Sequence, residues 1–73
     1  MTPKLPIVTA KIVIKAVERK GFIFKNQRGS HKVYKHPDGR RTTIIEHGNT
    51  PLDRSVLKRI IRDTGISVDD LLK

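Results

Sequence analysis

Apolar residues first recur at helical spacing. Ile12, Val13, Ala16 and Val17 share one side of a segment whose other side carries Lys11, Lys15, Glu18 and Arg19, the pattern of an amphipathic helix. Thr9 stands where a cap is wanted, and Val8 before it can staple onto Val13 at the fourth helical position. Gly21 follows where a left-handed C-terminal residue is favoured. The pattern then changes to strand composition. Phe22-Ile23-Phe24 is aromatic and β-branched, and residues 26–30 are polar with Gly29 among them, which predicts a turn. Residues 30–36 alternate and include Val33 and Tyr34. His36-Pro37-Asp38-Gly39-Arg40 carries the Asp-Gly pair of a tight hairpin. Residues 41–46 are rich in Thr and Ile, a good strand composition. Residues 22–46 therefore predict a three-stranded antiparallel meander.

After the turn residues 47–51, a second helix is expected over about 54–64. Asp53 caps it, Val56, Leu57, Ile60 and Ile61 form its stripe, and Gly65 stops it. Ser67 with Asp70 three residues on forms a capping box for a short helical turn anchored by Leu71 and Leu72. The order αβββα is an α+β fold. Its economical packing puts both helices on one face of the sheet and leaves the other face open. Phe22, Phe24, Ile12, Val17, Leu57 and Ile60 are expected in the core. Tyr34 fits either the core edge or a stacking platform for a base, and the scarcity of aromatics, three in the chain, favours the core.

With 73 residues, 36% of them hydrophobic, the chain is expected to form a single domain over 1–73 with one thin core. A deep enclosed pocket and a doubly wound nucleotide fold are both too large for it. There are no cysteines, hence no disulfide framework and no Cys-based zinc site. No apolar run reaches the roughly 18 residues of a membrane span, and the N-terminus lacks the apolar stretch of a signal peptide. The cytoplasm is the expected compartment.

Charge adds a functional signal. Sixteen Lys and Arg against seven Asp and Glu give +9. Residues 19–41 hold eight of the cations against Asp38 alone, a net +7, while residues 42–73 carry five of each sign. That concentration suits a polyanion binder, nucleic acid first. An acidic protein partner and a merely solvated basic face are the other readings.

Metal chemistry finds little support. His31, His36 and His47 are spaced 5 and 11 apart, which matches no standard zinc pattern. No phosphate-binding glycine loop is present either. Metal-free RNA cleavage asks for less. The substrate brings its own nucleophile, the 2′-hydroxyl. A histidine with pKa near about 6.5 can move the protons, and Lys or Arg can stabilise the phosphorane. One histidine has a suitable setting, Arg28-Gly29-Ser30-His31-Lys32. Gly29 permits close approach to a phosphate, Ser30 can donate a hydrogen bond, and Arg28 and Lys32 supply charge. On these residues alone, an ordinary polar strand residue is the favoured reading of His31. If the hairpin closes over a two-residue Asp38-Gly39 loop, His31 faces Glu46, with His47 next door.

In combination, Gly21-Phe22, Gln27-Arg28-Gly29-Ser30-His31, Tyr34-Lys35-His36-Pro37-Asp38-Gly39-Arg40, His47-Gly48-Asn49 and the segment from Leu57 to Ser67 resemble the HicA toxin family. The likeness runs from about Ile12 to Leu72. It implies a double-stranded-RNA-binding-domain-like fold and the toxin of a type II toxin–antitoxin system. It further implies a metal-independent endoribonuclease that cleaves mRNA and needs no small-molecule cofactor. His31 would then be the catalytic residue, and the charge and turn reading adds Arg28, Gly29, Ser30, Lys32, Lys35 and Arg40 as the residues expected to bind phosphate. A HicB-like antitoxin would be the neutralising partner. Two departures from the family pattern are Ile45, where many relatives carry proline, and Arg54-Ser55, where many carry Gly-Thr. A non-catalytic RNA-binding module using the same basic face is the alternative function. It would need Lys and Arg at the turn but no histidine.

Overall fold

The computed structural model describes residues 5–72. Its elements follow the order α1 (Ala10–Arg19), β1 (Ile23–Arg28), β2 (His31–Lys35), β3 (Arg41–Ile45), α2 (Arg54–Thr64) and α3 (Val68–Leu71). The strands form one antiparallel sheet in the order β1-β2-β3. The expected αβββα architecture is what the chain adopts.

Local sequence accounts for most element ends. Gly21, at φ 95, follows α1, and the Gly21 and Phe22 N–H groups donate to the carbonyls of Glu18 and Val17 at 3.0 Å each. This is a Schellman closure, and the buried Phe22 and Val17 supply its apolar contact. Asp53 caps α2 by accepting from the Ser55 N–H, and Gly65 ends that helix at φ 74. The Ser67–Asp70 capping box opens α3. Thr9 occupies the N-cap of α1 with extended backbone but makes no side-chain cap bond. It bridges Pro51 instead, while Leu52 N–H donates to the Val8 carbonyl at 2.9 Å. The start of α1 is thereby pinned to the approach to α2.

The core lies between the helices and one sheet face. Val13, Val17, Ile44, Leu57 and Ile60 are fully buried, and Phe22, Tyr34, Ile66 and Leu71 close its margins. Two threonines are buried with them and are satisfied: Thr64 Oγ1 donates to the Ile60 carbonyl at 2.7 Å, and Thr42 Oγ1 to Asp63 at 3.3 Å. Tyr34 thus belongs to the core, and burial pushes its phenol pKa up.

Several sequence expectations require correction. Phe24 is 46% exposed. The helices pack over β3, so β1, the far edge strand, has little above it and is exposed along its length. Phe24 lies edge-on to Tyr34, with ring centroids 5.7 Å apart. Ile12 is 39% and Leu72 66% exposed, because Ala10, Val13, Ala16 and Val17 already fill the buried side of α1 and Leu71 alone anchors α3. The turn expected over residues 26–30 shrinks to Gly29-Ser30, since Asn26, Gln27 and Arg28 continue β1 in register with Val33, Lys32 and His31. The second hairpin closes over three residues, not two. Gly39 N–H donates to the His36 carbonyl and His36 N–H to the Arg40 carbonyl. Pro37 presets the turn and Gly39, at φ 101, takes the left-handed position. The register moves by one residue, so His31 faces Ile45, not Glu46.

Candidate nucleic-acid interface

Gly29, at φ 57, takes the first position of the two-residue β1–β2 turn, where a tight hairpin needs a positive φ. Arg28 and His31 flank that turn as direct cross-strand partners. Alternation along β2 sends Lys32 and the buried Tyr34 toward the helices, and His31, Val33 and Lys35 away from them. The β2–β3 register adds Arg41, Thr43 and Ile45 to the open face.

A bulge decides what β1 contributes. Phe24 pairs with Tyr34, but the next pair is Asn26 with Val33, leaving Lys25 as the extra residue. One inserted residue changes the phase of the strand. With unbroken alternation from Ile23, Gln27 would lie on the open face and Arg28 on the helix side. The bulge places Arg28 on the face of His31 and brings Lys25 beside Asn26. A hollow of about 470 Å³ on this face is lined by Lys25, Asn26, Arg28, Val33, Lys35 and Arg41. A second, of about 290 Å³, is lined by Ile23, Lys25, Lys35, His36 and Pro37. Among the described residues no carboxylate lines either hollow. The sequence reading missed Lys25 and Arg41. Lys25 depends on the bulge, and Arg41 on the one-residue shift of the second hairpin.

Two of the sequence candidates lie elsewhere. Lys32 Nζ is 2.6 Å from Glu46 Oε1 on the helix side of the sheet, with side chains 23% and 21% exposed. The hydrogen bond between them is the main cause of a raised Lys32 pKa and a lowered Glu46 pKa. Arg40 is held structurally. Its Nε donates to Asp38 at 2.8 Å, Nη1 donates to the Thr64 carbonyl at the end of α2, and its guanidinium carbon lies 5.3 Å from the Phe22 ring centroid. It ties the β2–β3 turn to the C-terminus of α2, where a cation meets the helix dipole favourably. Asp38 is lowered in pKa chiefly by the Arg40 N–H bonded to it.

The other histidines separate by environment. His36 packs edge-on against Phe22, centroids 5.1 Å apart, and its Nδ1 lies 3.1 Å from the Asp38 N–H. Its ring covers Gly21, where an added Cβ would sit 3.0 Å from Nε2. His47 lines a more apolar hollow of about 280 Å³ with Ile45, Thr50, Pro51, Leu52, Asp53 and Val56. Ile45 is the cross-strand neighbour of His31, so this hollow begins at the His31 end of the open face. Among the described residues no group of three His, Asp or Glu side chains could hold a metal ion. None of the described helices is long and apolar enough to cross a membrane.

A small α+β module with a bare cationic sheet face and an exposed histidine at its first hairpin has the electrostatic character of a polyanion binder. The chain belongs to the HicA toxin family: the family model for the HicA toxin of bacterial toxin–antitoxin systems matches residues 10–66. The match covers α1 through α2 and includes the whole sheet. The chain is accordingly a toxin of a toxin–antitoxin system, which implies an RNA substrate and a cognate antitoxin. No curated protein matches the chain significantly.

Proposed function

We propose that this toxin is a metal-independent endoribonuclease in which His31 moves the proton. The observation that carries the reading is the exposed His31 beside Arg28 at the glycine turn, on a sheet face bearing Lys25, Lys35 and Arg41. An RNA phosphate held by Arg28, with the Gly29 and Ser30 backbone nearby, presents its 2′-hydroxyl to the imidazole. The imidazole takes that proton as O2′ attacks phosphorus. The bond from phosphorus to O5′ breaks, and the departing oxygen is protonated by the imidazolium in turn or by water. The products are a 2′,3′-cyclic phosphate and a 5′-hydroxyl. Arg28 and its neighbours offset the charge of the phosphorane. Lys35 adds to the local field. A HicB-like antitoxin, acidic where it meets this face, silences the site by covering it.

The test is RNA cleavage by purified, antitoxin-free protein in excess chelator. Wild type should cut, and His31→Ala should lose about 10²–10⁴ in rate or more while its circular dichroism is unchanged. RNA carrying a 2′-deoxy nucleotide at the scissile position should resist. A His31→Ala protein as active as wild type, or activity lost in chelator and restored by a divalent cation, overturns the reading.

A further inference from the structure

We propose that RNA crosses this protein along a furrow on the open sheet face, gripped through phosphates by Lys25, Arg28, Lys35 and Arg41. The helix layer, with its own cations, takes no part. The proposal rests on the nuclease reading and names the path of its substrate.

Three observations carry it. The two hollows share Lys25 and Lys35 and so lie side by side, together reaching from Arg28 to the His36-Pro37 turn. Arg28 marks the His31 end, because the two are cross-strand partners. From His31 to Lys35 is four strand steps, roughly 13 Å, so a strand whose phosphate sits at His31 has further phosphates within reach of Lys35 and Arg41. The furrow's lining combines apolar Ile23, Val33 and Pro37 with the cations Lys25, Arg28, Lys35 and Arg41. The helices α1 and α2 carry seven cations of their own but with two acids, Glu18 and Asp63, among them, whereas among the described residues no carboxylate lines the furrow.

The chemistry of the furrow also defines how RNA is held. Tyr34 is buried on the opposite face, and Phe24 lies against it. The furrow thus offers neither Phe nor Tyr for base stacking, and the aromatic ring in its lining, His36, is already packed edge-on against Phe22. Affinity along it comes from phosphate neutralisation and is indifferent to sequence. The bulge at Lys25 is the local device that builds it. By changing the phase of β1 it gathers Lys25 and Arg28 on one face.

The experiment uses the full chain carrying His31→Ala and a short fluorescent single-stranded RNA of mixed sequence, with affinity read by anisotropy across a salt series. Lys25→Gln and Arg41→Gln should each weaken binding and each make the log–log salt slope shallower by about 0.7. Lys15→Gln on α1 and Lys58→Gln on α2 should leave the slope unchanged. Both furrow lysine and arginine are exposed, so these variants should fold, which circular dichroism checks. Equal losses from the helix variants, or unchanged slopes for Lys25→Gln and Arg41→Gln, overturn the furrow. If those two variants lose affinity for the antitoxin and keep it for RNA, the face is a protein-docking surface and the furrow also fails. The nuclease reading is judged separately, by whether His31→Ala abolishes cleavage. A protein that cuts normally without His31 removes that reading whatever the salt slopes show.

Discussion

Arg28 and His31 pair directly across the Gly29-Ser30 turn, on the face of the sheet that the helices leave bare. Their proximity is a product of hairpin geometry and of the bulge three residues earlier. Replacing Arg28 by Ala should lower kcat/KM for RNA cleavage on the order of 10², with no loss of thermal stability, because the side chain is exposed. An unchanged kcat/KM would remove Arg28 from the site.

Arg40 has the opposite profile. Its guanidinium bonds Asp38 and the Thr64 carbonyl and lies over Phe22. Arg40→Ala should cost about 1 kcal/mol of stability in urea unfolding, while the salt slope of RNA binding stays that of the parent. A shallower slope with unaltered stability would make Arg40 a phosphate ligand after all.

Gly21 combines a left-handed backbone with the His36 ring 3.0 Å from where a Cβ would sit. Gly21→Ala should destabilise the protein by about 1–2 kcal/mol or more. Adding His36→Ala should recover the steric part and leave the backbone part. Strict additivity of the two substitutions in urea melts would show that the ring and the glycine are not coupled.

Acid should lower the protein's stability in a defined window. Bonds from Lys32, Ser55 and Ser67 and from the Arg40 backbone hold Glu46, Asp53, Asp70 and Asp38 below their ordinary pKa values. A carboxylate depressed in the folded state contributes stability above its unfolded pKa, about 4, and loses it as pH falls through the folded value. The melting temperature should therefore fall below about pH 4, and Glu46→Gln should make that fall shallower. Lys32 is raised, so its share is present below about pH 10.4 and is lost as pH climbs through its folded value. A flat melting profile between neutral pH and pH 3, roughly, would contradict these assignments.

The antitoxin should protect His31 from diethyl pyrocarbonate. The exposed ring in the free toxin should react readily, and saturation with the cognate antitoxin should suppress the reaction. Equal reactivity in the two states, followed by mass spectrometry of the modified peptide, would place inhibition elsewhere. Association should slow with salt if an acidic surface is steered to this face.

Much of the architecture is written in short-range pattern. Gly21 and Gly65 end helices, Asp53 and the Ser67–Asp70 pair start them, and the Thr- and Ile-rich 41–45 segment pairs as a strand. Each rests on local sterics or a local hydrogen bond, which a sequence carries intact. The cationic centre of the chain and the Gly29-Ser30-His31 element were visible in the same way.

What the sequence left open is governed by phase and by layer coverage. Because side chains alternate with period two, a single residue at Lys25 or in the Pro37-Asp38-Gly39 turn reassigns faces along a whole strand. Those two places decide that Arg28 and Arg41 share the face of His31, that Lys32 turns away to Glu46, and that Ile45 and not Glu46 lies opposite the histidine. Coverage decides Phe24: its composition suits a core, but the helices lie over β3 and leave β1 bare. Arg40 is the third case. Its partners at Asp38, Thr64 and Phe22 converge from the hairpin turn, the end of α2 and the end of α1, and only the packed layers bring those three together.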